Sequence, residues 1–415
     1  MRAVKLLTVM VFTFFLAGCW GSRESDEIAY VMAMGFDKGE KGNITVTFQI
    51  ANPKVIAGMS GGGGGGVGGD SQNKPFLFST TEALSPIAAF NLLNAIQSRE
   101  ISLLHTKAFI FSEELAREGL AGYLNPLNRY RETRGTSFVF ISRGKARNFM
   151  QKNQPLLEVS PSKQYEMIAD LTNLHGMAPH TQFREFYQHT KSLSIDPTVP
   201  LVGINETGLG TVKRAKPHVL GDYLAGDFPA AGESKAQIIG TAVFRNDRMV
   251  GELTGDESMH MLILQGRLQR SLMVLDDPLK PGNHIGLMLH QSRSPVVKVS
   301  FADEVPAINV EVFQEPSIVG ISSGVNYEEP KIKATLEKLL SDIITQRCNA
   351  LINRSQNEFR SDIFGFGEYA KRHFLTLDKW QKYNWPENYI YARVNVKTNV
   401  KIRRTGLQLK TKGTG

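Results

Sequence analysis

Cysteine is almost missing: there are two in 415 residues, Cys19 and Cys348. So few exclude a disulfide framework, and no cysteine pair has zinc spacing. No His-Glu-x-x-His occurs, and no Gly-Lys-Ser or Gly-Lys-Thr closes the glycine tract, which removes the helical zinc-protease site and the phosphate-binding loop. Long apolar runs are missing too. The apolar run at residues 6–16, free of charge and broken only by Thr8 and Thr13, is about half of the ~20 residues a helix needs to cross a bilayer, and no later segment reaches ~18 consecutive apolar residues. A transmembrane body is therefore not expected.

What is present begins with residues 1–20. Arg2 and Lys5 form a basic head, residues 6–16 an apolar run, and Leu16-Ala17-Gly18-Cys19 a small-residue cleavage site of bacterial lipobox type. An ordinary signal peptide with an incidental cysteine is the alternative. In the lipobox reading residues 1–18 are removed, Cys19 receives a diacylglycerol, and residues 19–27 are the tether. Two acyl chains anchor stably where one does so only marginally. A formal net charge of +8 suits an anionic lipid surface. Nucleic acid is the weaker reading of that charge for an exported protein. With Cys19 modified, Cys348 has no partner and reads as a buried, inert thiol.

The remaining chain is too long for one core. Residues 28–36 are apolar; after a turn at residues 37–42, Ile44, Val46, Phe48 and Ile50 alternate with polar residues, predicting a hairpin. Gly61 to Gly66 lie in a stretch, residues 57–74, that reads as a flexible loop. It contains Gly58-Met59-Ser60-Gly61-Gly62, but a nucleophile elbow needs a helix where this chain has glycines. Ser85-Pro86 and Ser160-Pro161 predict helix starts, with apolar faces of Ala89, Phe90, Leu93 and Ile96 in one and Tyr165, Ile168, Leu171 and Leu174 in the other. Residues 101–111 and 136–142 read as strands. An α+β domain over 28–200 results. Residues 201–282 read as a linker and small middle domain, with a hairpin over 236–250 and a helix from Asp256 to about residue 274. Residues 283–406 read as a second α+β domain of antiparallel strands with a helix over 331–354, its apolar positions including Ile332, Leu336, Leu339, Ile343 and Ala350. A helical stretch over 361–367 and a closing strand over 390–402 follow. Residues 407–415 are a loose basic tail.

Other clusters carry little chemistry. His175, His180 and His189 lack metal spacing. Asp303-Glu304 and Glu328-Glu329 are sequence neighbours that point apart. Lys397, Lys401, Arg403, Arg404, Lys410 and Lys412 form a basic end that guards an edge strand, with contact to anionic lipid or an acidic partner the weaker reading. Phe364, Phe366, Trp380, Tyr383, Trp385 and Tyr389 read as core.

Several stretches together resemble the Ger(x)C, or GerAC-type, lipoproteins, the C subunits of spore nutrient germinant receptors. They are Gly18-Cys19-Trp20, Gly35-Phe36-Asp37-Lys38, Ala242-Val243-Phe244 with Val250-Gly251-Glu252-Leu253 and Glu257-Ser258, and above all Ser361-Asp362-Ile363-Phe364-Gly365-Phe366-Gly367 with Trp380 and Trp385. The resemblance implies three α+β domains, the last on a curved antiparallel sheet. It implies residence on the outer face of the spore inner membrane and assembly with integral-membrane A and B subunits into a receptor for small nutrients. It implies no enzymatic activity and no cofactor. Cys19, the lipidation site, is the one functional residue it carries over. The reading from another class is an extracytoplasmic solute-binding lipoprotein of a transporter, and a third is a surface hydrolase acting through Ser60.

Overall fold

The computed structural model describes residues 27–52, 55, 75–153, 161–209 and 220–406. The leader, Cys19, the glycine tract with Ser60 and the basic tail lie outside them. The architecture is α+β, with three sheets and packed helices.

Strand β1 (Ile28–Lys38) is buried without a break from Val31 to Asp37, so both of its faces are covered. A turn with Lys41 and Gly42 at positive φ returns the chain as β2 (Ile44–Ala51), antiparallel to β1, and β3 (Phe76–Ala83) follows at the edge. Strands β5 (Ala108–Ser112) and β6 (Phe138–Ser142) are buried along their whole length. Such continuous apolar runs mark parallel strands covered on both sides. Strand β1 pairs parallel with β5, β5 with β6, and β6 with β7 (Thr198–Ile204). The short β4 (Glu100–Ser102) pairs with the start of β1. Strands β8 (Ala236–Arg245) and β9 (Arg248–Leu253) complete a nine-stranded sheet in the order β3-β2-β1-β5-β6-β7-β8-β9. The position expected for a boundary, residue 200, lies inside β7, and the 236–250 hairpin continues the first sheet.

The crossovers are helical. Helix α1 (Pro86–Asn94) is capped by the Ser85 hydroxyl, which accepts from Ala88 N. Helices α2 (Glu113–Glu118) and α3 (Ala121–Arg129) join β5 to β6; α4 (Ala146–Lys152), α5 (Pro161–His175) and α6 (Phe183–His189) join β6 to β7. Two of the expected apolar faces are narrower than the pattern implied. In α1, Ala89 and Leu93 are buried, but Ile96 lies past the helix end and is 64% exposed. In α5, Tyr165 and Ala169 face inward while Leu171 and Leu174 are half-exposed. The inward face of α5 follows an i, i+4 row through Ala169 and so misses both leucines.

Helix α7 (Gly255–Gln265) is capped two residues earlier than the expected cap, Asp256, and stops sooner. Thr254 is its cap, in a reciprocal capping box with Glu257, and Gly266 in the left-handed region ends it. Residues read as its last turns form β10 (Arg270–Asp276), which pairs with β11 (His284–His290) and, through it, β14 (Ser317–Ile321). The third sheet contains β12 (Val296–Ala302), β13 (Val305–Gln314) and β15 (Arg393–Val400). Strand β15 runs parallel to β13, so this sheet is mixed rather than antiparallel. The cause is the long return through α8 (Pro330–Arg354), α9 (Phe366–Ala370), α10 (Leu377–Tyr383) and α11 (Trp385–Asn388), which a hairpin does not need. A single turn of 3₁₀ helix, Tyr389–Tyr391, takes the start of the expected closing strand. Helix α8 buries Leu336, Leu340, Ile344 and Cys348, then Leu351 and Ile352. That row is displaced by one residue from much of the expected face, and Ala350 is exposed.

Hairpin β8–β9 lies between two cores. Ala242, Phe244 and Met249 belong to the core of the large sheet. Val243 and Leu253 belong to the core built by α7, α8 and the two smaller sheets. Period-two alternation thus gives one hairpin a separate apolar layer on each face.

Candidate functional site

The strongest sequence signature, residues 361–367, folds around a single carboxylate. Asp362 Oδ1 accepts from the backbone N–H groups of Phe364, Gly365 and Phe366 at 3.0 to 3.2 Å. Its Oδ2 accepts from Gly367 N at 2.8 Å and from Trp385 Nε1 at 2.9 Å. Only α9 in this stretch is helical, and the carboxylate nest is made by the N–H groups of residues 364–367 together with Trp385. A Cβ on Gly367 would sit 2.4 Å from Ser194 O and 2.6 Å from Trp385 Nε1, so glycine is required there for close approach.

The nest is also a seam. Asp362 N donates to Asp196 Oδ2 at 3.1 Å, and Asp196 N donates to Asp362 O at 2.9 Å. Asp196 Oδ1 accepts from Asn246 N in the β8–β9 turn, and Ser361 Oγ donates to Phe244 O at 2.7 Å. Arg245 and Glu387 pair across the same boundary. The segment before β7, the hairpin and the C-terminal region are therefore locked at one point. Burial pushes Asp362 up to about 7, against the pull of its hydrogen bonds to Gly367 and Trp385. Burial also raises Asp196. The aromatic cluster read from sequence covers this nest: Phe366, Trp380, Trp385 and Tyr389 are buried, with Trp380 and Trp385 stacked at 5.9 Å between centroids.

Beside the seam is a cleft of about 530 Å³ lined by Arg117, Asp227, Glu252, Glu257, Arg354 and Phe359 among others. A neighbouring cavity of about 240 Å³ reaches Asp256, His260 and Arg347. The cations lining them are committed within the chain. Arg117 binds Glu113 at 2.7 Å, Arg347 binds Asp256 at 2.7 Å, and Arg354 binds Glu257 and Glu358. This self-paired surface fastens α8 to the capped start of α7.

The remaining sequence candidates go to separate places. His175 Nδ1 accepts from Met177 N at 3.0 Å, and burial holds this imidazole down at about 4. His180 packs edge-on to Phe138 at 5.1 Å. Burial lowers His189 as well. Among the described residues no group of three or more His, Cys, Asp or Glu side chains could hold a metal ion. Asp303 and Glu304 form the exposed β12–β13 turn with positive φ. Lys401 and Arg403 pair with Glu337 and Glu315. Cys348 is fully buried, and burial pushes its thiol up. Asp196 was not visible from sequence, because a lone aspartate before a strand carries no pattern.

Two family models match the chain. "Spore germination protein N-terminal domain" covers residues 21–204, and "Spore germination B3/ GerAC like, C-terminal" covers residues 239–406. The chain belongs to the GerAC family of spore germination proteins. Among curated GerAC relatives, Spore germination protein KC of Bacillus subtilis (strain 168) is 26% identical over 421 residues, covering 98% of this chain and 96% of its own. Putative spore germination protein YfkR of the same organism is 25% identical over 407 residues, covering 98% of each. The crystal structure of the GerBC protein superposes with a TM-score of 0.50 at 15% identity, covering 89% of this chain and 96% of that one. That likeness establishes a shared fold. No helix among the described residues is long and apolar enough to cross a membrane.

The GerAC stretches quoted from sequence now have physical roles. In Gly35-Phe36-Asp37, Asp37 accepts from Ala146 N at 2.7 Å and Arg147 N at 2.9 Å and so caps α4 from another strand. Phe36 stacks on Phe111. Gly35 admits Met150, whose sulfur would be 2.4 Å from a Cβ there. In Glu257-Ser258, the glutamate closes the α7 capping box and Ser258 bonds Thr241 at 2.6 Å.

Proposed function

We propose that this chain is the lipid-anchored, non-catalytic C subunit of a nutrient germinant receptor. It is held by Cys19 at the outer face of the spore inner membrane and assembles with integral-membrane A and B subunits to trigger germination. The observation that carries this reading is the match to GerAC family models and spore germination proteins along nearly the whole chain. The lipobox cysteine at residue 19 supports the anchor. The non-catalytic part is supported by the most elaborate polar site described, the Asp362 nest. Its carboxylate oxygens are spent on five N–H groups and hold the fold together instead of facing a substrate.

The test is deletion of the gene, with the response of dormant spores to nutrients measured beside vegetative growth. The reading predicts lost nutrient-triggered germination with growth unchanged, and the same loss with Cys19→Ala. A deletion strain that germinates normally on every nutrient tried, in a background without related receptors, contradicts it.

A further inference from the structure

We propose that the end of the large sheet at which β1 begins is a docking face for an anionic lipid bilayer, combining exposed arginines with exposed leucine and isoleucine side chains. The inference deepens the proposed function and rests on anchoring at Cys19.

The tether fixes which end is available. From residue 19 to residue 27 the chain reaches at most about 28 Å, at ~3.5 Å per residue. A folded body spanning residues 28–406 has a diameter of about 55 Å. The bilayer therefore lies within reach of the surface around Glu27 and not of the far side of the molecule.

Topology determines what surrounds Glu27. Strand β4 runs beside the first residues of β1, and Glu100 N donates to Glu27 O at 2.9 Å. Because β1, β5 and β6 are parallel, the segments leading into β5 and β6 come to this same end. They are stitched together: Ser137 Oγ donates to Thr106 O at 2.7 Å, and Leu103 N donates to Glu132 Oε2 at 2.8 Å. Ile101 N donates to Asn94 Oδ1, which brings the end of α1 to the same place.

These segments carry Arg99, Lys107, Arg131 and Arg134. Arg131 and Arg134 are exposed and Arg99 is half-exposed. Among the described residues none of these three arginines is in an ion pair. Lys107 faces Glu166 at 3.6 Å, Glu132 is occupied with Leu103 N and Ser102 Oγ, and the exposed side chains of Glu27 and Glu100 lie at the same end. His105 packs on Tyr30 at 4.6 Å, and its pKa is lowered by burial and then by Arg134 and Lys107. Arg134 and Lys107 therefore share one electrostatic neighbourhood. Beside them Ile96 is 64% exposed, Leu92 48% and Leu104 44%. Basic side chains over an apolar patch match an anionic interface, where each Lys or Arg near the surface and each buried methylene adds attraction. A neutral, apolar protein partner would leave the arginines unpaired.

The test uses the mature lipidated protein reconstituted into vesicles. A thiol-reactive fluorophore is placed at Ile96→Cys or Leu104→Cys, Cys348 being buried. The control site is Lys41→Cys in the β1–β2 turn, at the opposite end of an eleven-residue strand, about 35 Å away. In vesicles containing phosphatidylglycerol, lipids carrying a quencher should quench positions 96 and 104 and not 41. The quenching should be lost in pure phosphatidylcholine and with Arg131→Gln/Arg134→Gln. Protein that stays on the vesicles but is unquenched at 96 and 104, or equally quenched in both lipids, overturns the docking face and leaves the anchor standing. Protein that does not stay on the vesicles at all indicts the anchoring at Cys19 instead.

Discussion

Asp362 is the residue on which the joint between the two cores turns. Five N–H groups converge on its two oxygens, so the site demands acceptors only. In Asp362→Asn an amide NH₂ replaces one oxygen and meets donors on either choice of side-chain orientation. The expected loss is about 2–3 kcal/mol of stability, read as a lower urea midpoint with an unchanged slope. An Asp362→Asn midpoint equal to that of the unaltered protein would remove Asp362 from this role.

At the scale of elements, α4 shows how a short helix is held from a distance. It has seven residues and its own N-cap, Lys145, offers no side-chain hydrogen bond. Asp37, on β1, supplies the acceptor. Asp37→Ala should cost about 1 kcal/mol, a usual value for a lost cap, visible as faster amide exchange over residues 146–149. Sequence could not announce this, because cap and helix are far apart in the chain. It did announce elements whose signals are local. The Ser85-Pro86 start, the first hairpin and the 236–250 hairpin are where the pattern put them. Faces were harder. An apolar period constrains a helix to about one residue, and α8 settled on the row through Leu340, Ile344 and Cys348. The direction of β15 was beyond reach, since alternation is the same for parallel and antiparallel neighbours.

On the scale of the whole molecule, two of the three apolar cores among the described residues share a hairpin, with a seam where Asp196 and Asp362 interlock. The family could be read from motifs because those motifs carry the tightest packing, at Gly35, Gly251 and Gly367. Their partners could not be read, because contacts such as Asp196 to Asp362 join residues far apart in the chain. Cysteine chemistry gives a test at this scale. Cys348 is sealed inside, so the native protein taken from membranes should react with no thiol reagent. After denaturation it should expose one equivalent if Cys19 carries lipid. Two equivalents would mean that Cys19 is bare.

The most direct measurement is the intact mass of the protein extracted from spore membranes. The account predicts a chain that begins at Cys19 and carries the added mass of a diacylglycerol on that residue. A chain that begins elsewhere, or begins at Cys19 with an unmodified thiol, would contradict it.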